Sequence, residues 1–271
     1  MQLDQKQPCL DNEFIRIKNI SKSFGSGQSK RNILNSIDFS IAKGSFVSIL
    51  GASGCGKSTL LQIVAGLQQA DGGQILLGNK VVEAPPFEML YLFQQYTKSI
   101  FPWLTVRDNI SFGMGRRGKW SRQEIADRCE RMISLVGLEG YGDYYPRQLS
   151  GGMQQRVAIA RALACEPDVL LMDEPFSAVD AMTRASLQDL VLKLWSDLGL
   201  TMLFITHDIE EAVYLSNRVI VLHRAPMNLA LDLPLDLPYP RDRLTTPAMP
   251  LFLDYRHRLY EEIYNAEGRK N

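Results

Sequence analysis

FVSILGASGCGKSTLLQIVAGL, residues 46–67, places an apolar run of strand length before a glycine-rich loop and follows the loop with a run of helix formers. Residues 51–59, GASGCGKST, fit G-x-x-x-x-G-K-[ST], and strand, loop and helix in that order is the context in which this spacing holds phosphate. Backbone N–H groups of the loop, from Gly51, Ala52, Ser53, Gly54, Cys55 and Gly56 through to Thr59, are expected to cradle the phosphates. The Lys57 ammonium is expected to reach the β and γ oxygens and the Ser58 hydroxyl to coordinate Mg²⁺.

Two further stretches extend this reading. LSGGMQQRVAIARAL, residues 149–163, sets a Ser-Gly-Gly turn before good helix formers. Ser150 can cap the helix, while Gly151 and Gly152 let a ligand approach the backbone, which makes an anion site. By itself such a turn more often just caps a surface helix. VLLMDEPFSAVD, residues 169–180, is an apolar strand ending in two adjacent acids. Successive strand side chains point to opposite faces, so Asp173 and Glu174 are expected to divide the work. Asp173 suits the metal shell and Glu174 the polarisation of an attacking water as general base. A buried strand followed by an ordinary acidic cap is the other reading of the same residues.

In this order the motifs resemble those of the ATP-binding cassette (ABC) ATPases, over residues 14 to 223. The resemblance implies an α/β P-loop NTPase fold of the RecA-like type, with a mixed sheet core and an inserted α-helical subdomain. It implies Gln94 in YLFQQ as a switch-loop glutamine serving metal and catalysis, residues 177–180 with Asp180 as the D-loop, and His207 in FITHD as the switch histidine. Phe24 in SKSFG falls where the family stacks an aromatic on adenine. The expected ligands are ATP and Mg²⁺. The family also implies a head-to-tail pair of copies, each ATP lying between the P-loop of one and the Ser150–Gly152 turn of the other. Such a pairing is isologous, and hydrolysis shifts it towards the open state.

The chain has 271 residues, 45% of them hydrophobic, with 30 Lys+Arg against 30 Asp+Glu. This suffices for one substantial core, and the balanced charge offers no basic field for nucleic acid. No apolar run approaches the roughly 20 residues of a membrane span, and residues 1–14 lack a signal-like apolar segment, so a cytosolic location is expected. Cys9, Cys55, Cys129 and Cys165 show no metal or disulfide spacing. Cys55, at a helix start within the loop, is expected to carry an acidified thiol whose alkylation blocks hydrolysis unless ATP protects it.

Periodicity predicts strands at 14–20, 37–41, 46–50, 74–77, 89–93, 169–172, 202–205 and 219–222, alternating with helices as in an α/β sheet, and a helix at 122–136. Residues 113–119, GMGRRGK, read as a loop. The expected organisation is a RecA-like core in two parts, 1–96 and 165–225, a helical subdomain at 97–164, and a short C-terminal extension at 226–271.

FPWLTVRDN, residues 101–109, resembles the importer segment beside the groove that receives a permease's coupling helix. Exposed, Phe101, Pro102 and Trp103 would form a costly aromatic knot; burial inside the subdomain is the alternative. With YPRQLSGGMQQRVAIARAL, residues 145–163, this wording looks most like the nitrate, taurine and alkanesulfonate importer branch. The extension resembles that branch through LPYPRDR, residues 237–243, although Met227 and Asn228 depart from its pattern, and a closing helix is expected near Pro250. The implied partners are permease subunits at the cytoplasmic side of the inner membrane and, indirectly, an extracytoplasmic solute-binding protein. Two alternatives are a soluble ABC ATPase acting on nucleic acid or ribosomes, and a same-branch importer ATPase for pyrimidine or thiamine precursors. A small-molecule kinase has no use for the second anion turn.

Overall fold

The computed structural model describes residues 13–25, 29–52, 54–94, 99–223 and 227–268, without the side chains of 116, 117 and 265–268. Cys9, Ser53, residues 95–98 and residues 224–226 lie outside the described residues.

Strands β1 (Glu13–Phe24), β2 (Arg31–Ala42) and β3 (Phe46–Gly51) are followed by helix α1 (Lys57–Val64). Then come β4 (Gly72–Leu77), β5 (Lys80–Val81) and β6 (Met89–Leu92), and next the helices α2 (Val106–Arg117), α3 (Arg122–Leu135) and α4 (Gly151–Leu163). The chain continues with β7 (Val169–Asp173), α5 (Ala181–Leu198), β8 (Thr201–Ile205), α6 (Ile209–Leu215), β9 (Arg218–Leu222), β10 (Leu229–Pro234) and α7 (Pro250–Gly268). Among the described residues no helix is long and apolar enough to cross a membrane.

The strands form two sheets, not one. A six-stranded sheet has the order β10-β9-β3-β8-β7-β6, and a four-stranded sheet the order β2-β1-β4-β5. The first is parallel except for β10, which runs against β9. The second is antiparallel. The expected uniform strand-helix alternation is therefore corrected for β1, β2 and β4, since β1 and β2 pair as neighbours with no helix between them.

The large sheet separates two cores, and its residues alternate between them as strand periodicity requires. Val47, Ile49, Val169, Leu171, Leu203 and Ile205 pack with α1 and the antiparallel sheet. Phe46, Leu50, Leu170, Met172, Met202 and Phe204 pack with the helices on the opposite face. β3, β7 and β8 are buried throughout, which is why they read as continuous apolar runs.

Helix α3 opens on a capping box between Ser121 and Glu124. The segment 113–119 is not a loop as read: α2 continues to Arg117 and ends on Gly118 at φ 61°. Gly113 looks like a breaker but serves packing, since a Cβ there would lie 2.6 Å from the Cys165 Sγ. Cys165 is 7% exposed and has little room to yield. Gly113→Ala should therefore cost about 1–2 kcal/mol. Gly115, where a Cβ meets nothing within 4 Å, should gain about 0.5–1 kcal/mol as Gly115→Ala. Chemical denaturation of both variants checks the pair; equal signs would show that α2 packs differently.

Candidate active site

The site forms where β3, β7 and β8 end. Gly51 closes β3, and a side chain there would run into the Leu222 carbonyl at 2.7 Å, so only glycine fits. The chain turns through Gly54 (φ 70°) and Gly56 (φ 112°), the latter as N-cap of α1. α1 has no side-chain cap and no acid in its first turn. By contrast α2, α3, α4, α5 and α6 are each capped by a side chain, from Thr105, Ser121, Ser150, Asp180 and Asp208. The first-turn N–H groups of α1, with the positive end of its dipole, are thus left to an anion.

Lys57, 4% exposed, donates to the Gly51 carbonyl at 2.8 Å and the Ala52 carbonyl at 3.0 Å. An ammonium has three donors, so one remains over. The Ser58 hydroxyl donates to Asp173 Oδ1 at 3.0 Å. This meeting follows from register: Asp173 continues the Val169–Leu171 face of β7, the face on which α1 packs. Burial, ahead of the opposing hydrogen bonds from Ser58 and Tyr91, raises the Asp173 carboxyl above its ordinary range. A hydroxyl and a carboxylate converging beside a phosphate cradle fit Mg²⁺.

Glu174 lies one residue past the strand at φ 43°, a region costly for a non-glycine side chain and frequent at functional sites. Its N–H donates to the Ile205 carbonyl at 3.0 Å, and its own carbonyl accepts from Ser177 N–H at 3.2 Å and Ser177 Oγ at 3.0 Å. The side chain turns to Gln94 and His207. Its Oε2 accepts from Gln94 Nε2 at 3.2 Å and lies 3.3 Å from His207 Nδ1, a contact that needs the imidazole proton on Nδ1. No described residue donates to Glu174 Oε1. Gln94 is thus placed on Glu174, and among the described residues no hydrogen bond joins it to the Ser58–Asp173 pair, with which it is also expected to share the metal.

Tyr91, which the sequence reading passed over, donates its hydroxyl to Asp173 Oδ2 at 2.9 Å. Burial, with Asp173 adding to it, pushes its phenol well above the usual range. No sequence signal marks it, because the pairing of β6 with β7 that brings it to Asp173 is set only in the folded sheet. Cys55 corrects an expectation. It is 4% exposed and packs in the core beneath the loop, with its Sγ against Gly51, so a reagent reaches it only if the loop opens.

The remaining predicted residues lie apart from this cluster. Ser150 caps α4 through the Met153 N–H, and Gly152 approaches α5 so closely that a Cβ would stand 2.3 Å from Thr183 Cγ2. Asp180 caps α5 through the N–H groups of Met182 and Thr183, which hold its carboxyl below the ordinary range. Among the described residues no hydrogen bond joins residues 150–152 to the loop at 51–59. Phe24, at the end of β1, is 44% exposed, with the Lys22 ammonium 5.7 Å from its ring centroid.

Residues 34–177 match the family model described as ABC transporter. A Brucella abortus relative named as an ATP-binding protein is 49% identical over 236 residues, covering 86% of this chain and 88% of that one. The aliphatic sulfonates import ATP-binding protein SsuB of Bacillus licheniformis is 40% identical over 253 residues, covering 93% of this chain and 95% of its own length. Among solved structures, a dimeric ATP-binding cassette in a post-hydrolysis state with ADP and Pi superposes with a TM-score of 0.71 at 32% identity, covering 82% of this chain and 98% of the other. A phosphate cradle at the start of α1, a hydroxyl–carboxylate pair suited to Mg²⁺ and a carboxylate aimed beyond it thus stand in a chain of that ancestry, which belongs to the ABC transporter family as a subunit that binds and hydrolyses ATP.

Proposed function

We propose that this chain powers an importer for a small organic anion of the alkanesulfonate or taurine type, docking peripherally on permease subunits at the cytoplasmic face of the membrane. A solute-binding protein outside would feed the permease. In this reading residues 97–164 form a helical subdomain inserted between the two parts of the core, and residues 226–271 a short extension.

The observation that carries the permease docking is Trp103, 70% exposed on a loop that is firmly built. Asn109 is fully buried and fixes the loop by donating to the carbonyls of Phe101, Leu104 and Thr105 and accepting the Phe101 N–H. Phe101 packs between Trp103 and Phe112, with ring centroids 5.5 and 4.5 Å away, and the Arg161 guanidinium lies 4.7 Å over its ring. A large apolar side chain exposed on a loop that Asn109 fixes suits a protein partner. The solute class rests on the SsuB name of the Bacillus relative.

In the chemistry proposed, the α1 N-terminus and Lys57 bind the β and γ phosphates, and Phe24 offers its ring to adenine. Ser58 and Asp173 hold Mg²⁺, which neutralises charge on the phosphate oxygens when bound. Gln94 and His207 both sit on Glu174 Oε2, leaving Oε1 to accept the proton of the attacking water. Ser150, Gly151, Gly152 and Asp180 face the nucleotide of a second copy packed head to tail.

Uptake of labelled taurine or an alkanesulfonate tests the reading in cells lacking the chain and complemented with it. Loss on deletion supports the solute class, whereas loss of pyrimidine-precursor uptake moves the importer to that substrate. Complementation with Trp103→Ala should give uptake at least about tenfold below the parent. Parental uptake would remove Trp103 from the docking surface.

A further inference from the structure

The extension beyond β10, far outside the matched residues 34–177, sends two half-buried arginines back onto α5 and α6. Arg241 donates to the carbonyls of Val213 at 2.6 Å, Tyr214 at 2.9 Å and Ser216 at 2.9 Å, closing the C-terminal end of α6. Arg243 lies 4.2 Å over the Tyr214 ring and donates to the Ala185 carbonyl at 2.7 Å, Asp189 Oδ1 at 2.8 Å and Gln188 Oε1 at 2.6 Å.

The last of these bonds begins a relay. Gln188, 5% exposed, uses its Nε2 to donate to Glu211 Oε1 at 2.6 Å. The Thr206 hydroxyl donates to Glu211 Oε2. Thr206 Oγ1 in turn accepts the Asp208 N–H at 3.0 Å, and Asp208 Oδ1 accepts the Glu211 N–H at 3.1 Å. Both neighbours of His207 are pinned in this way, and the His207 side chain is 57% exposed, its one contact among the described residues being Glu174.

The two ends of the relay agree on the direction of its bonds, a donor-only guanidinium at one side of Gln188 and an acceptor-only carboxylate at the other. A guanidinium has no acceptor, so Gln188 must present its carbonyl to Arg243, which turns its amide N–H groups to Glu211. One Glu211 oxygen is then committed, and the Thr206 hydroxyl takes the other, which leaves its lone pairs to the Asp208 N–H. Without Arg243 the Gln188 carbonyl loses its donor, and Gln188 is held by its bond to Glu211 alone, which loosens the side chain that supports Glu211 and Thr206.

We propose that Arg243 is a positioning residue for His207, acting through Gln188, Glu211 and Thr206, so that the C-terminal extension sets the geometry of the catalytic turn. This rests on the reading of His207 as the residue that holds Glu174. The extension is then part of the ATPase and not merely an attachment to its surface.

The test is steady-state ATP hydrolysis by the full chain carrying Arg243→Ala, Arg243→Lys, Gln188→Leu, the Arg243→Ala/Gln188→Leu pair or His207→Ala, with a thermal melt for each. Arg243→Ala should lower kcat about tenfold and leave KM for ATP within about twofold, since it displaces a catalytic group without touching the phosphate cradle. Arg243→Lys, which keeps a donor for Gln188 Oε1, should recover most of that loss. The double variant should be no slower than the slower single, because both break one relay. A folded Arg243→Ala at parental kcat overturns the relay while leaving His207 in place, as does a double variant whose losses multiply. Parental turnover by His207→Ala removes the role of His207 and the relay with it. Should Arg243→Ala fail to fold, Gln188→Leu decides, a parental kcat overturning the relay and a comparable fall at unchanged KM supporting it.

Discussion

Glu174→Gln should lower steady-state ATP turnover about 10²–10⁴-fold while ATP binding survives. The substitution preserves volume and does not disturb the backbone that aims the side chain, since that is held by the Ile205 carbonyl and by Ser177. What it removes is the negative charge and the basic lone pairs of Oε1. It also asks a neutral amide to satisfy both Gln94 and His207, which now converge on one carboxylate oxygen. Nucleotide bound but not consumed should accumulate the closed pair of subunits, because a ligand that bridges two copies favours the closed state by mass action. Size-exclusion chromatography in ATP should then show a dimer for Glu174→Gln under conditions where the hydrolysing parent runs smaller. Hydrolysis at the parental rate would overturn the assignment of the base, whatever the oligomeric state.

The features legible in the sequence are those whose geometry is local. The G-x-x-x-x-G-K-[ST] spacing specifies a strand, a turn through glycines and a helix start, and β3 and α1 lie there. The run 169–173 is a strand buried on both faces, and alternation alone sends Asp173 to the α1 side. Glu174 was found for a less complete reason than its structure supplies, because its left-handed φ, which aims the carboxylate, has no sequence signature. The errors share a cause. Gly113 was read by its backbone freedom when the pressure on it is Cys165, distant in sequence. Cys55 was read from its helix start when its side chain turns into the core. Tyr91 and the Arg243–Gln188–Glu211 bonds join segments that only the packed sheets bring together. Periodicity carries no register between such segments, and so no contact between them could be drawn in advance.

Replacing Lys57 should separate binding from chemistry in the opposite sense to Glu174→Gln. Lys57→Met keeps most of the apolar stem in a slot that leaves the parent side chain 4% exposed, but it deletes the ammonium. The carbonyls of Gly51 and Ala52 lose their donor, and the phosphates lose a buried positive charge at close range. A ligand at 100 times its Kd stabilises the folded state by about 2.7 kcal/mol, which for a chain of this size raises Tm by roughly 5–10 °C. That rise with MgATP should be present in the parent and in Glu174→Gln, and should shrink below about 2 °C in Lys57→Met. Lys57→Arg should fail in the same way despite keeping its charge. A planar fork with five donors does not fit a narrow slot whose two carbonyls are arranged for a compact ammonium on a flexible stem. A parental shift in Lys57→Met would mean that the α1 N–H groups bind the phosphates unaided. Success of Lys57→Arg beside failure of Lys57→Met would mean that charge alone is required there and that the two carbonyl contacts are incidental.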